Sequence, residues 1–381
     1  MRKTIFGIAI LSASMSALAQ NSVTLYGVID EGFDFTSNAS GHSAYQLESG
    51  YTYGSRWGLK GKEDLGGGLA ALFQLENGFD VNTGRLGQGG RMFGRQAYVG
   101  LSSANIGTVT AGRQYDSIVD YVGQLTANGS WGGYLFAHPY DNDNTDNSFR
   151  VNNSIKYTSP KIAGFTGGGL YGFSNAPGAF ANNRTLSVGG QYEVGPVLAA
   201  AGYLSANNPG LTANGAQATD DANFSGSNLR IIAAGLSYTV SSATVALSYT
   251  NSYINHPTGT EYLAGSIAPA GGTLSSLRFS NYELNAKWQF TPAFYVGGMY
   301  TFTDASYDGS NGKQKPKWHQ AGLMADYFLS KRTDVYVQGV YQKRAGSTTG
   351  SALDTAYIPG AADVSSNNHQ IVARVGLKHM F

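Results

Sequence analysis

The last twelve residues, Gln370–Phe381, read QIVARVGLKHMF, and their pattern decides the fold. Counting back in twos from Phe381 gives His379, Leu377, Val375, Ala373 and Ile371, a largely apolar set with an aromatic at its end. The set between holds Met380, Lys378, Gly376, Arg374, Val372 and Gln370, with two cations. Side chains alternate across a strand, so this segment offers one face to lipid and the other to water, as a strand of a transmembrane β-barrel does.

The same alternation recurs towards the N-terminus. Tyr282, Leu284, Ala286, Trp288 and Phe290 alternate with Glu283, Asn285, Lys287 and Gln289, a run that no helical period explains. Ser55 to Glu63 sets Trp57 and Leu59 against Arg56, Lys60 and Lys62. An Asp64–Gly67 turn then leads to Phe73 and Leu75 against Gln74 and Glu76. Val23 to Phe35 behaves likewise, with Asp30 on the polar face. Short turns such as Gly195-Pro196, Ser241-Ser242 and Thr291-Pro292 alternate with long polar segments. The long ones are Thr36–Gly54, Asp80–Gly94, Tyr115–Arg150, Ser205–Ser227, Asn255–Ser275, Ala305–Pro316 and Ala345–Asn368. These features predict an all-β, antiparallel transmembrane barrel of about sixteen strands, with short periplasmic turns and long external loops. Aromatics near strand ends, such as Tyr157, Tyr192, Tyr238 and Phe381, fit an interfacial girdle.

Composition agrees. Charged residues make up 13% of the 381, against roughly 25% in soluble domains, while Gly (52) and Tyr (25) are abundant. There are no cysteines, and a closed barrel needs no disulfides. Residues 1–19 read as a signal peptide: Arg2 and Lys3, an apolar Ile5–Leu11 centre and an Ala17-Leu18-Ala19 cleavage site. Residues 20–381 are then one transmembrane barrel domain. Losing Arg2 and Lys3 takes the formal charge from +1 to −1, which gives no basis for nucleic-acid binding.

In order along the chain, SVTLYGVID (Ser22–Asp30), SRWGLKGKEDLGGGLAALFQLE (Ser55–Glu76), RQAYVGL (Arg95–Leu101), GTVTAGRQYD (Gly107–Asp116), RVNNSIKYTSPKIAGF (Arg150–Phe165) and the final HMF resemble the general porins of Gram-negative bacteria, of the trimeric β-proteobacterial and neisserial type. The resemblance implies a sixteen-stranded barrel, a homotrimer, a third external loop folded into the pore, passive diffusion of small hydrophilic solutes and ions, and no cofactor. It also implies an outer-membrane setting, with membrane lipid and lipopolysaccharide as neighbours.

Pore diameter and the charges at the narrowest point set selectivity in such a channel. Tyr115–Arg150 is the candidate infolded loop, with Asp116 and Asp120 near its start. Strand parity turns Arg56, Lys60, Lys62, Lys156, Lys287, Arg374 and Lys378 inward, with Asp30, Gln74, Glu76 and Glu283. Basic wall residues facing loop acids would create a transverse field, and the excess of inward cations predicts a mild anion preference. Arg113 sits on the lipid-facing parity with Val109 and Ala111 unless Gly112 breaks the register and turns it into the lumen.

Other constellations weigh less. Asp141-Asn142-Asp143-Asn144-Thr145 lacks the glycine and closing glutamate of a calcium loop, and the six histidines show no paired metal spacing. No nucleophile–base arrangement supports an outer-membrane hydrolase. One alternative is a substrate-selective channel with a saturable sugar or organic-acid site, where Tyr121, Trp131 and Tyr134 would stack a ring. The other is a structural or adhesive barrel without conductance.

Overall fold

A computed structural model describes residues 22–381; the predicted signal peptide lies outside the described residues. Sixteen strands form one closed antiparallel barrel. In chain order they are β1 (Ser22–Ala39), β2 (His42–Ser49 and Arg56–Gly66), β3 (Leu69–Gly78), β4 (Gln96–Ser103), β5 (Gly107–Gln114), β6 (Val151–Thr158), β7 (Phe165–Gly172) and β8 (Thr185–Val194). Then come β9 (Val197–Asn207), β10 (Asn228–Val240), β11 (Ala243–Asn255), β12 (Leu274–Thr291), β13 (Phe294–Gly309), β14 (Pro316–Phe328), β15 (Thr333–Gly346) and β16 (His369–Met380). Each strand pairs with its sequence neighbour, and β16 pairs with β1 from Val28↔Met380 to Thr36↔Val372. Phe381 completes the seam by exchanging two backbone hydrogen bonds of 3.1 Å with Gly27. Closure leaves no unpaired edge, which a spanning sheet requires.

Parity follows the sequence reading. Ile371, Val375 and Leu377 are exposed on the outer face of β16, whereas Val372 and Arg374 are buried inside. The first external segment differs from the expected long loop. β1 and β2 continue past the membrane as a hairpin turning at Ser40 and Gly41, and β2 is interrupted at residues 50–55. Ser49 Oγ and Ser55 Oγ bond across that break at 3.0 Å, and the Asp30 carboxylate accepts the Thr52 and Tyr53 amides at 2.7 and 2.9 Å.

The barrel is uneven in height. β4 to β7 have eight residues each, whereas β10 to β16 run from 12 to 18. The interior is uneven as well. The Tyr115–Arg150 segment enters the lumen as a chain of single helical turns and packs against the tall wall. Ile118, Leu125, Tyr140 and Phe149 join Leu229, Ile231, Phe279 and Trp318 in one buried apolar cluster. Trp131, Leu135 and Phe136 join Tyr295, Met324 and Val340 in another. The tall half of the barrel is therefore filled by a hydrophobic core, each large apolar side chain contributing about 1.5–3 kcal/mol of burial.

Candidate channel and its throat

The open part of the lumen is a cavity of about 790 Å³ beside the low wall, lined by Arg56, Arg95 and Arg150 on one side and by Val119, Gly123, Gln124 and Gly129 of the infolded loop on the other. Specific hydrogen bonds press the loop away from this space. Glu283 Oε1 accepts the Ala127 amide at 2.7 Å, and Asn285 donates to Leu125 O at 2.9 Å. Gln320 donates to Ala137 O at 3.0 Å and Gln338 to Gly132 O at 2.5 Å. Four polar side chains on β12, β14 and β15 thus satisfy loop backbone groups that burial would otherwise strand.

The loop contains five carboxylates; Asp116, Asp141 and Asp143 are fully buried, whereas Asp120 and Asp146 stand at the open side. Asp116 is fully buried, accepting from the Ile118 amide (2.7 Å) and Asn144 Nδ2 (2.7 Å), and burial raises its pKa to about 6. Asp120 is held 2.5 Å from Lys156 Nζ. Burial raises the Asp120 pKa, with Lys156 acting in the opposite direction. Asp141 accepts from the Asp146 amide and from Ser148, and Asp143 from Thr145, His138 and Asn281. This explains the Asp141–Asn147 tract. Asp141, Asn144 and Asn147 hold positive φ, a conformation Asn and Asp tolerate, and their side chains tie the turns. Asp146 lines the cavity itself, and burial pushes its carboxyl up to about 7. Asp116 therefore departs from the expected acidic face of a transverse field, while the Asp120 charge is met by Lys156 and that of Asp146 is weakened by burial.

The wall opposite is cationic. Arg95 Nε lies 2.9 Å and Arg56 Nε 3.8 Å from Glu76, which also accepts from Tyr26 and Tyr115. Glu76 is buried behind the two arginines as a shared counter-ion. Lys60 and Lys62 continue the inward face of β2 below Arg56, about 20 Å of cationic wall at the strand rise. Both are exposed, and among the described residues neither has an acidic partner within 4 Å; Lys60 lies over the Tyr26 ring.

Arg113, Arg374 and Lys378 face inward but do not line the open channel. Gly112 has φ +144°, and the β5–β6 register shifts beside it; a Cβ there would stand 2.0 Å from Ala97 O. Arg113 is buried among external-loop residues, donating to Gly94 O at 2.7 Å and Asn152 Oδ1 at 2.5 Å and pairing with Asp221. Arg374 is enclosed at the seam by Asp30, Asp34 and Tyr336. Lys378 lies 3.1 Å from Asp334. Tyr121 and Trp131 are buried with their rings over wall glycines: a Cβ at Gly189 would be 2.8 Å from Tyr121, and one at Gly297 2.5 Å from Trp131.

Arg95 and Arg150 were missed by the parity count. Each stands one residue before its strand, where alternation assigns no face. A signal was present, since each opens a segment carrying the family resemblance.

A closed sixteen-stranded barrel, water-accessible along one side and narrowed by one infolded loop, defines a membrane channel. The chain belongs to the Gram-negative porins: the model of that family matches residues 7–347. An outer membrane porin protein of Bordetella pertussis is 32% identical over 90% of this chain and 94% of its own length. Outer membrane porin protein 32 of Delftia acidovorans is 30% identical over the whole of both chains. Among solved structures, the anion-selective porin from Comamonas acidovorans superposes with a TM-score of 0.71, at 25% identity, over 95% of this chain and all of that one. The protein is an outer-membrane porin, a general diffusion channel, and its relatives are channels rather than enzymes.

Proposed function

We propose that the channel passes small hydrophilic solutes and ions with a mild preference for anions. The observation that carries this reading is the charge asymmetry of the throat: Arg56, Arg95 and Arg150 face a loop edge of Val119, Gly123, Gln124 and Gly129. Acids also line the outer vestibule: Asp220 is paired with Arg91 and Asp221 with Arg113, burial raises the Glu261 pKa to about 7, and Glu48 and Asp80 stand there with no cation within 4 Å among the described residues. Focused positive potential at a narrow point favours anions over cations of similar size. Of the rings that could stack a saturable substrate, Tyr121 and Trp131 are buried, while Tyr134 lines the cavity edge-on to Tyr51.

We also propose a homotrimer assembled through the low wall. A tilted spanning strand needs about 9–11 residues, and β4 to β7 have eight, so neighbouring subunits would shield what lipid covers poorly. Cleavage after Ala19 would leave residues 20–381 as the mature barrel.

The test is reversal potential in a planar bilayer under a potassium chloride gradient. The expected sign is that of chloride preference, with linear dependence of conductance on salt. Arg56→Glu should lower the anion-to-cation permeability ratio by about twofold or more. Cation preference in the wild type, or no change in Arg56→Glu, would overturn the reading.

A further inference from the structure

The break in β2 at residues 50–55 turns inward, and every residue of it lines the open cavity. It is tied from three sides. On the wall, the Asp30 carbonyl accepts the Gly50 amide at 2.8 Å, beside the carboxylate bonds to Thr52 and Tyr53. On the infolded loop, the Tyr134 amide donates to Tyr51 O at 2.7 Å; above it, Tyr51 Oη donates to Gly360 O. Gly133 holds φ +73°, and a Cβ there would stand 2.2 Å from Tyr51 O, so loop and kink meet without slack. The kink is a second element narrowing the throat.

Its Tyr53 ring is 41% exposed, whereas Tyr51, Tyr134, Tyr262 and Tyr357, the other tyrosines lining the cavity, are buried or half-buried. Lys378 Nζ lies 4.4 Å from the Tyr53 centroid and Lys378 is only 5% exposed, so the ring covers that cation. Arg56 Cζ stands 5.8 Å from the same centroid. The counter-ions are buried: Asp334 is 3.1 Å from Lys378 and Glu76 3.8 Å from Arg56. A cation against a ring draws on its negative quadrupole. The face left to the channel then takes an electron-rich ring more readily, and the guanidinium alongside suits a carboxylate. Sequence reading counts Tyr53 within the external loop Thr36–Gly54 and so assigns stacking to other rings.

We propose that Tyr53 and Arg56 form a binding site for aromatic carboxylates in the throat, the ligand ring stacked on Tyr53 and its carboxylate on Arg56. An aromatic anion held there displaces chloride while it stays, whereas chloride and aliphatic carboxylates meet the arginines alone. The site rests on the anion-preferring reading of the throat and adds a ring-selective step to it.

Chloride current through the refolded full-length protein in a planar bilayer should be titrated with benzoate and with cyclohexanecarboxylate. The two match in charge and reach, but only benzoate has a flat π-face. Benzoate should block with saturation, at a half-blocking concentration about threefold to tenfold below that of cyclohexanecarboxylate. Tyr53→Leu should bring the two values together, and Tyr53→Phe should keep them apart. Arg56→Gln should weaken block by both acids alike. Residual chloride current in each variant shows that the barrel has folded, and the wild-type comparison needs no variant at all. Equal block by the two acids in the wild type would overturn the site, as would ring discrimination that survives Tyr53→Leu. A cation-preferring wild type counts against the anion reading itself, whereas an anion-preferring one without ring discrimination counts against this site alone.

Discussion

His138 is the residue that fixes the infolded loop most tightly. Its ring is fully buried, with Nδ1 2.6 Å from Asp143 and Nε2 3.0 Å from Glu283 of β12, so both nitrogens face carboxylates and both must donate. Burial alone would lower its pKa, but Asp143 and Glu283 hold it up at about 10. Burial would likewise raise Asp143, and His138 brings it down to about 2. The imidazolium contribution is complete below the ordinary value of 6.5 and is lost as pH rises through about 10. The Asp143 contribution is complete above its ordinary 3.8 and is lost as pH falls through about 2. The latch is therefore fully engaged from about pH 4 to about pH 6.5. Thermal unfolding of the refolded protein should occur at its highest temperature in that window and fall steadily towards pH 10. His138→Gln should flatten the alkaline limb and destabilise by about 3–5 kcal/mol, because it leaves Asp143 and Glu283 buried without their cation. An alkaline limb of unchanged slope in the variant would refute this role. The latch was not legible in the chain, since Glu283 stands 145 residues from His138 and nothing local marks them as a pair.

At the scale of the element, the loop and the wall fit through glycine dents. Trp131 sits over Gly297 of β13 and Phe136 over Gly322 of β14, where a Cβ would lie 2.5 Å from each ring. Tyr121 packs over Gly168 of β7 and Gly189 of β8. Glycine weakens a strand interior and so needs a packing reason, and here the reason is an aromatic side chain from the loop. Gly297→Ala should displace Trp131, at an overpacking cost of about 1–3 kcal/mol, and move the loop towards Arg56 and Arg95. Single-channel conductance should then fall while ion preference is kept; unchanged conductance would show that the ring adjusts without moving the loop. The strands and the place of this loop were legible because period-two alternation and segment length are local properties. The roles of its acids were not. Asp116 reads as a solvent-facing charge until the fold shows it capping the loop's first turn, and Arg113 could be turned inward only by the φ +144° conformation of Gly112.

The whole molecule divides the labour of one barrel between its two sides. The tall side, filled by loop and wall side chains, gives rigidity; the low side leaves the open channel. Composition hinted at a polar lumen throughout, and the long external loops hid the inner core because their apolar residues are scattered among polar ones. What holds the cylinder closed is the seam between the first and last strands, and Arg374 is its centre. Its guanidinium lies 2.9 Å from Asp34 and 3.3 Å from Asp30 of β1. It also bonds Glu48 O of β2 at 2.8 Å and Tyr336 Oη of β15 at 2.8 Å, and packs over the Tyr51 ring. One side chain thus joins four strands across the closure. Arg374→Ala would leave two buried carboxylates facing each other and should cost about 3–5 kcal/mol, whereas Arg374→Met with Asp30→Asn and Asp34→Asn should recover much of that loss. The temperature at which the folded barrel loses its compact electrophoretic mobility reports this directly. Because Arg374 does not line the open channel, both variants should conduct with wild-type ion preference while folded. A stable Arg374→Ala barrel, or one with altered preference, would show that the seam is held by backbone pairing alone or that Arg374 acts on the passing ion.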